Sequence, residues 1–328
     1  MELLRIVSML LVMLLHVPGT KKGVIPTATD QFLADFVSAA SFMCVNLFVM
    51  ISGWFGIHFK LEGVSKLLFQ AVFLAILTYL CLVLVGLAPF SITNIWHCTF
   101  GIFGAYWFIW AYLLLYIFAP VLNAFVDYCS EKELRWFLIF FYGFALYNYF
   151  TLKVDAIYLR GFHAFAFIGL YLLARYMHVY QPQWTKLPKK VDFLIYLFVV
   201  FVAVYADRFI GSHTPQDVAL VKIGNYIKPT CMVCTVFFFL IFTKFKFQSK
   251  LVNWLAVSCF AAYLIHMQLQ AKPVYNSVFA WIHNSLPDWA FWPTALLMIA
   301  IIFMVCVLVD KIRILAYNGL KYLKVSRH

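Results

Sequence analysis

Apolar runs recur along this chain with only short polar breaks, and that recurrence limits its fold more than any other feature. From Trp289 to Val309, for example, no charged residue occurs. About 20 apolar residues match the ~30 Å hydrocarbon core of a bilayer. Inside such a core every backbone N–H and C=O needs an internal partner, which for segments like these means a helix. Ten segments can be read: Leu3–Val17, Phe36–Ile57, Leu67–Ala88, Ala105–Val126, Trp136–Phe150, Phe162–Met177, Phe193–Ile210, Asn225–Thr243, Leu251–Gln270 and Trp289–Val309. The sequence therefore predicts an all-α, polytopic membrane protein with about ten transmembrane helices. Composition excludes a soluble alternative: 65% of residues are apolar and 12% charged, against about 25% charged in soluble domains. No repeat and no linker rich in Gly, Pro or Ser divides the chain. It reads as one membrane domain over residues 1–310 and a basic amphipathic tail over 311–328, at the cytoplasmic interface. The first segment lacks the charged leader and small-residue cleavage site of a signal peptide.

The net charge of +12 invites a nucleic-acid reading, but the cations are spread over breaks beside apolar segments, where Lys and Arg set topology. With the amino terminus in the cytoplasm, the 25 Lys and Arg residues divide about two to one in favour of the inner side. Arg5, Lys60, Lys66, Arg135, Arg175 and Arg327 then lie inside; Lys21, Lys22, Lys153, Arg160 and Lys222 lie outside. Both termini are expected to be cytoplasmic. Nucleic acid is not an expected partner; the lipid bilayer is.

Within the first segment, LLRIVSMLLVMLLHV, two ionisable residues stand out. A cation at the bilayer centre costs roughly 2.5–3.5 kcal/mol on insertion scales. Arg5 and His16 are eleven positions apart, so on a helix they face the same way to within about 20° and lie about 16 Å apart along the axis. Arg5 falls toward the inner side and His16 toward the outer side, just before Pro18. The plain alternatives are a topology anchor for Arg5, paired with Glu2, and a hydrogen-bonded structural histidine for His16. His266, in YLIH, falls at a similar depth to His16, and Arg160 and His163 enter the sixth segment from that same side. On the inner side Lys60, Lys66, Arg135 and Arg175 suit a polyanionic ligand.

The remaining motifs are negative. There is no H-E-x-x-H and no carboxylate cluster for a metal, no Walker loop, no G-x-G-x-x-G and no G-x-S-x-G. Cys231 and Cys234 form a C-x-x-C in an apolar run without a second pair, which reads as packing. Ser52 in ISGWFG reads as close helix contact through Ser and Gly. Any chemistry then rests on histidine as base and arginine as electrostatic partner. A proton-coupled transporter is the competing class, although no inverted repeat is visible. A non-catalytic scaffold would leave the Arg5/His16 pair unexplained.

At this point the residues resemble the integral membrane acyltransferases of the acyltransferase-3 family. ELLRIVSMLLVMLLH resembles their first-helix signature, an Arg or Lys followed after ten residues by His, with Glu2 where the family often has Asp. NLFVMISGWFGI resembles the second-helix run into Ser-Gly. YWFIWAYLLLYIFAPVLN resembles the Trp-Phe helix ending in Pro, and Arg160 with FHAFAFIGLYLLAR the Arg, Phe-x-x-Gly segment. SCFAAYLIH resembles the late helix ending in Tyr-Leu-x-His. The resemblance implies O-acyl transfer, most often acetylation, from cytoplasmic acyl-CoA to a hydroxyl of a cell-surface or lipid-linked saccharide. It implies a multi-pass protein of the bacterial cytoplasmic membrane and no metal cofactor. It places His16 and Arg5 as catalytic residues, His16 as base or acyl carrier. Arg160, His266, Trp107 and Glu2 are the expected substrate-binding residues, and Lys60, Lys66, Arg135 and Arg175 would hold acyl-CoA.

Overall fold

The computed structural model describes residues 1–17, 28–102, 106–151, 159–215 and 224–325. Pro18, Lys21, Lys22, Lys153, Lys222 and Arg327 lie outside the described residues. Every regular element among those described is a helix. In chain order they are α1 (Glu2–Leu15), α2 (Ala28–Ser41), α3 (Cys44–Phe55), α4 (Leu61–Leu84), α5 (Ile92–Thr99), α6 (Trp107–Tyr128) and α7 (Glu131–Thr151). After a single turn at Leu159–Gly161 come α8 (Ala164–Tyr180) and α9 (Lys189–His213). Then follow α10 (Pro229–Thr243), α11 (Lys250–Ala256), α12 (Cys259–His266), α13 (Ala271–Ser285) and α14 (Asp288–Val325). Local chemistry sets several boundaries. Gly56, at φ 76°, ends α3, Pro229 opens α10 at its first helical position, and Ser130 and Glu133 close the first turn of α7 reciprocally.

Each of the ten apolar segments coincides with a helical stretch, and these stretches differ in length. Among the described residues five helical stretches are long and apolar enough to cross a membrane, Gln31–Phe55 (α2 with α3), Leu61–Leu84, Trp107–Tyr128, Lys189–His213 and Asp288–Gly319, or six if the bent pair Lys250–His266 and Ala271–Ser285 is one span. Several other segments are shorter or broken. At 1.5 Å per residue, the 14 residues of α1 cover about 21 Å. Helices α8 and α10, 17 and 15 residues long, are also under span length. The ninth segment breaks at Val257–Ser258 and then turns through 90° into α13. The tenth runs on: α14 continues without interruption past Val309 to Val325, so the last apolar run and most of the basic tail share one helix.

Short α1 is the hub. It packs against α2, α3, α11, α12 and α14, and Leu4, Met9 and Met13 on it are essentially inaccessible. Helix α3 in turn lies flush on α8. A Cβ on Gly53 would stand 2.5 Å from the Tyr171 carbonyl oxygen and 2.9 Å from the Ala174 Cβ, so only glycine permits this approach. Buried charges are paired. Asp192 meets Lys244, Asp207 meets Lys228 at 2.6 Å, and Asp310 receives both Arg313 and Gln70. Paired charges avoid the cost of isolated ones in apolar surroundings.

Candidate active site

The Arg5 and His16 ends of α1 have different surroundings. His16 caps the carboxyl end of α1, and His266 is the last residue of α12. The two rings meet with centroids 5.2 Å apart, and His16 Nδ1 lies 3.1 Å from His266 Nε2. His266 is 3% exposed. Its Nδ1 is hydrogen-bonded to the Ala262 carbonyl of its own helix. Tyr275, from α13, packs its ring 5.1 Å from the His266 ring and donates its hydroxyl to the Met13 carbonyl at 2.7 Å. The same carbonyl accepts the His16 backbone N–H. The bent helix α13 thus locks the end of α1 on which His16 sits.

His16 lines a narrow cleft with about 420 Å³ of unfilled space, part of it open. Met9, Phe48, Phe108 and Phe260 form its apolar walls, with Trp107, Tyr226 and Tyr263. Two tyrosines at the cleft are held by specific bonds. Tyr106 donates to the Leu264 carbonyl at 2.7 Å, fixing the start of α6, and with it Trp107, against α12. Tyr226 is held from two sides, its N–H donating to the Arg160 carbonyl at 2.8 Å and its carbonyl accepting from Asn46 Nδ2 at 2.9 Å. The Tyr263 hydroxyl is fully buried. The Phe108 backbone comes near its oxygen, but its O–H has no acceptor among the described residues. A buried polar group left so costs about 1–3 kcal/mol.

Below the cleft the lining becomes polar. One turn along α3 from Phe48, Ser52 Oγ meets the Tyr112 hydroxyl at 3.1 Å, and Tyr112 lies one turn from Phe108 on α6. Tyr112 is within electrostatic reach of Arg5. Arg5 itself is 39% exposed and holds Glu2 through Nη1, at 2.9 and 3.0 Å from the two carboxylate oxygens. Deeper along the same wall, Tyr171 donates to Asn123 Oδ1 at 2.6 Å, and the Arg175 guanidinium lies beside Gly56 and Asn123. Arg175 Nε is buried with no partner among the described residues. Cys259 opens α12, which packs against both α1 and α14.

The structure therefore brings together His16, His266 and Trp107. Arg160 is exposed, in the left-handed region at φ 57°, and reaches the site through its carbonyl and through its neighbour-but-one Phe162, whose ring lies 4.6 Å from Trp107. Glu2 does not join this group, since α1 separates it from His16 by about 21 Å. Arg175 and Lys60 flank the turn between α3 and α4, where the Lys60 N–H donates to the Tyr116 hydroxyl at 3.1 Å. Lys66 pairs with Glu62 at 3.1 Å on an exposed helix face, and Arg135 is exposed at the start of α7, next to Tyr176. Sequence reasoning missed Asn46, Tyr263 and Tyr275. The first two stood inside quoted motifs as polar residues in apolar runs, which was a usable signal; Tyr275 stood in a stretch read as a loop.

Among the described residues no group of three or more His, Cys, Asp and Glu side chains is placed to hold a metal ion. One family model, described as an acyltransferase domain, matches residues 1–311 of the 328. No curated protein and no solved structure matches the chain.

Proposed function

Because the chain belongs to the acyltransferase-3 family and is thus a multi-pass membrane acyltransferase, we propose that it O-acylates a saccharide from acyl-CoA with His16 as general base. The donor, most simply acetyl-CoA, enters from the cytoplasm at the Arg5 end. The acceptor is a hydroxyl of a lipid-linked or cell-surface saccharide at the His16 end. The protein sits in the bacterial cytoplasmic membrane with both termini inside, a reading supported by the distribution of Lys and Arg.

One observation carries this reading: a cleft runs along α1 and has His16 on its wall, while Arg5 stands on the same helix beyond its other end. The flexible thioester arm of CoA suits a slot lined by Met9, Phe48 and Phe108. Its phosphates suit the cationic turn that presents Arg175 and Lys60, with Arg5 nearby. His16 removes the proton of the acceptor hydroxyl, and the oxygen attacks the thioester carbonyl. The Tyr263 O–H donates to the oxyanion that forms. Collapse of the tetrahedral intermediate breaks the C–S bond, and the leaving thiolate takes the proton held by His16. One ester and one free thiol result, with no net proton change. The carboxyl ends of α1 and α12 both face the histidine pair. Helix dipoles there stabilise a transient imidazolium by about 0.3–1 kcal/mol each at exposed sites and up to ~2 kcal/mol when partly buried.

The test is acetyl-CoA turnover by purified protein in lipid, with a saccharide acceptor, for wild type, His16→Ala and Arg5→Ala. Loss of a positioned general base lowers the rate by about 10²–10⁴-fold, and that loss is expected of His16→Ala. A fully active, correctly inserted His16→Ala protein would overturn the mechanism.

A further inference from the structure

We infer that His266 is a positioning residue that fixes the tautomer of His16, so that Nε2 of His16 is its basic nitrogen. The inference rests on the reading of His16 as base. It follows from two hydrogen bonds in series. A backbone carbonyl can only accept, so the Ala262 oxygen requires the proton of His266 to be on Nδ1. A neutral imidazole carries one N–H, which leaves His266 Nε2 as a lone pair. That lone pair lies 3.1 Å from His16 Nδ1, so Nδ1 of His16 must be the donor. With its proton on Nδ1, His16 has its own lone pair on Nε2, on the ring edge turned away from His266. For two neutral rings these two bonds have no other solution.

The surroundings keep His266 in this role. It is almost fully buried, with the rings of Tyr263, Tyr275 and His16 around it. Tyr275, the hydroxyl-bearing neighbour closest to its ring, gives its O–H to the Met13 carbonyl and so does not compete for Nε2. Without the acceptor at His266 both tautomers are open to His16, and the one with a proton on Nε2 cannot take another from an acceptor hydroxyl there. When His16 does accept a proton, its Nδ1–H stays donated to His266, and the ring keeps its orientation through the reaction. A partner that orients a functional histidine in this way is worth about 10–100-fold in metal sites, and a loss of that order is expected here.

The experiment uses the full-length protein in lipid with ¹⁵N-labelled histidine, the His16 signals being assigned by their loss in His16→Gln. The expected wild-type spectrum shows His16 protonated at Nδ1 and bare at Nε2. His266→Phe, which removes the acceptor, should mix the tautomers and lower kcat by about 10–100-fold with the KM for acetyl-CoA unchanged. His266→Gln, whose amide oxygen can accept from Nδ1–H, should retain the tautomer and recover most of the rate. Three results would overturn the inference: wild-type His16 protonated at Nε2, His266 doubly protonated, or a His16 spectrum that His266→Phe leaves unchanged. The tautomer is read without turnover, so a failure of the acyl-transfer reading would show separately in the His16→Ala assay.

Discussion

The two ends of α1 are built to opposite standards. Around His16 most polar neighbours are fixed, His266 to a carbonyl, Tyr275 to the Met13 carbonyl, Tyr106 to Leu264, Tyr226 to Asn46 and Arg160, while the Tyr263 hydroxyl has no acceptor among the described residues. Arg5, with the cations proposed to join it, is held less firmly. Its ion pair with Glu2 is within one helical turn and at the surface, Arg175 has a buried nitrogen with no partner among the described residues, and Lys60 is exposed. The difference tracks the task proposed for each end. A reacting hydroxyl and thioester need fixed geometry, since a small misplacement costs large factors in rate. A long anionic donor that arrives, binds and leaves needs cations that are attractive but not yet committed.

The sharpest way to break that comparison after His16 itself is Tyr263→Phe. The substitution keeps the ring and its packing on Phe108 and Phe260 and removes only the hydroxyl. If Tyr263 donates to the oxyanion, kcat should fall by about 10²-fold, at the lower end of what one such donor supplies. Stability should not fall and could rise by about 1 kcal/mol, because a buried donor without an acceptor is lost. Parallel measurement of CoA release and thermal unfolding separates the two effects. A wild-type rate with raised stability would mean that the hydroxyl is a packing defect and the fixed end has one catalytic group fewer.

The contrast between the ends was only half legible in the sequence. The spacing of Arg5 and His16 was readable because helix periodicity is local and follows from eleven positions alone. The common depth of His16 and His266 was readable from orientation and segment ends. The contact between them was not, because it depends on the break at Val257–Ser258 and the 90° turn after His266, where neither proline nor glycine marks the chain. Helix α13, with its sequence AKPVYNSVFAWIHNS, is too polar to register as an apolar segment, so Tyr275 went unread. Apolar runs report burial, whether in lipid or against other helices, so the short helices α1, α8 and α10 read in the sequence like the longer ones. The donor-side cations were the least legible. The distribution of Lys and Arg leads one to expect Lys66 and Arg135 on the inner side, but Glu62 and Tyr176 are their local neighbours, and such pairings depend on which side chains share a surface.

At the adjustable end smaller effects are expected. Arg175→Ala should raise the KM for acetyl-CoA about tenfold, the equivalent of roughly 1.4 kcal/mol, and leave kcat near wild type. That split is the mark of an interaction made equally in the ground and transition states. A drop in kcat with unchanged KM would move Arg175 to the catalytic side of the comparison. Glu2→Gln should do least. A surface pair of this kind contributes about 0–1 kcal/mol, so unfolding should shift little. Its removal frees the Arg5 guanidinium from a competing carboxylate, and a polyanionic donor should then bind slightly better, with KM lowered by no more than a few-fold and the gain fading as salt screens it. A fall in kcat would say instead that Glu2 holds Arg5 in a required geometry. The Arg5 end would then be as preorganised as the His16 end, and the difference between them would lie only in exposure.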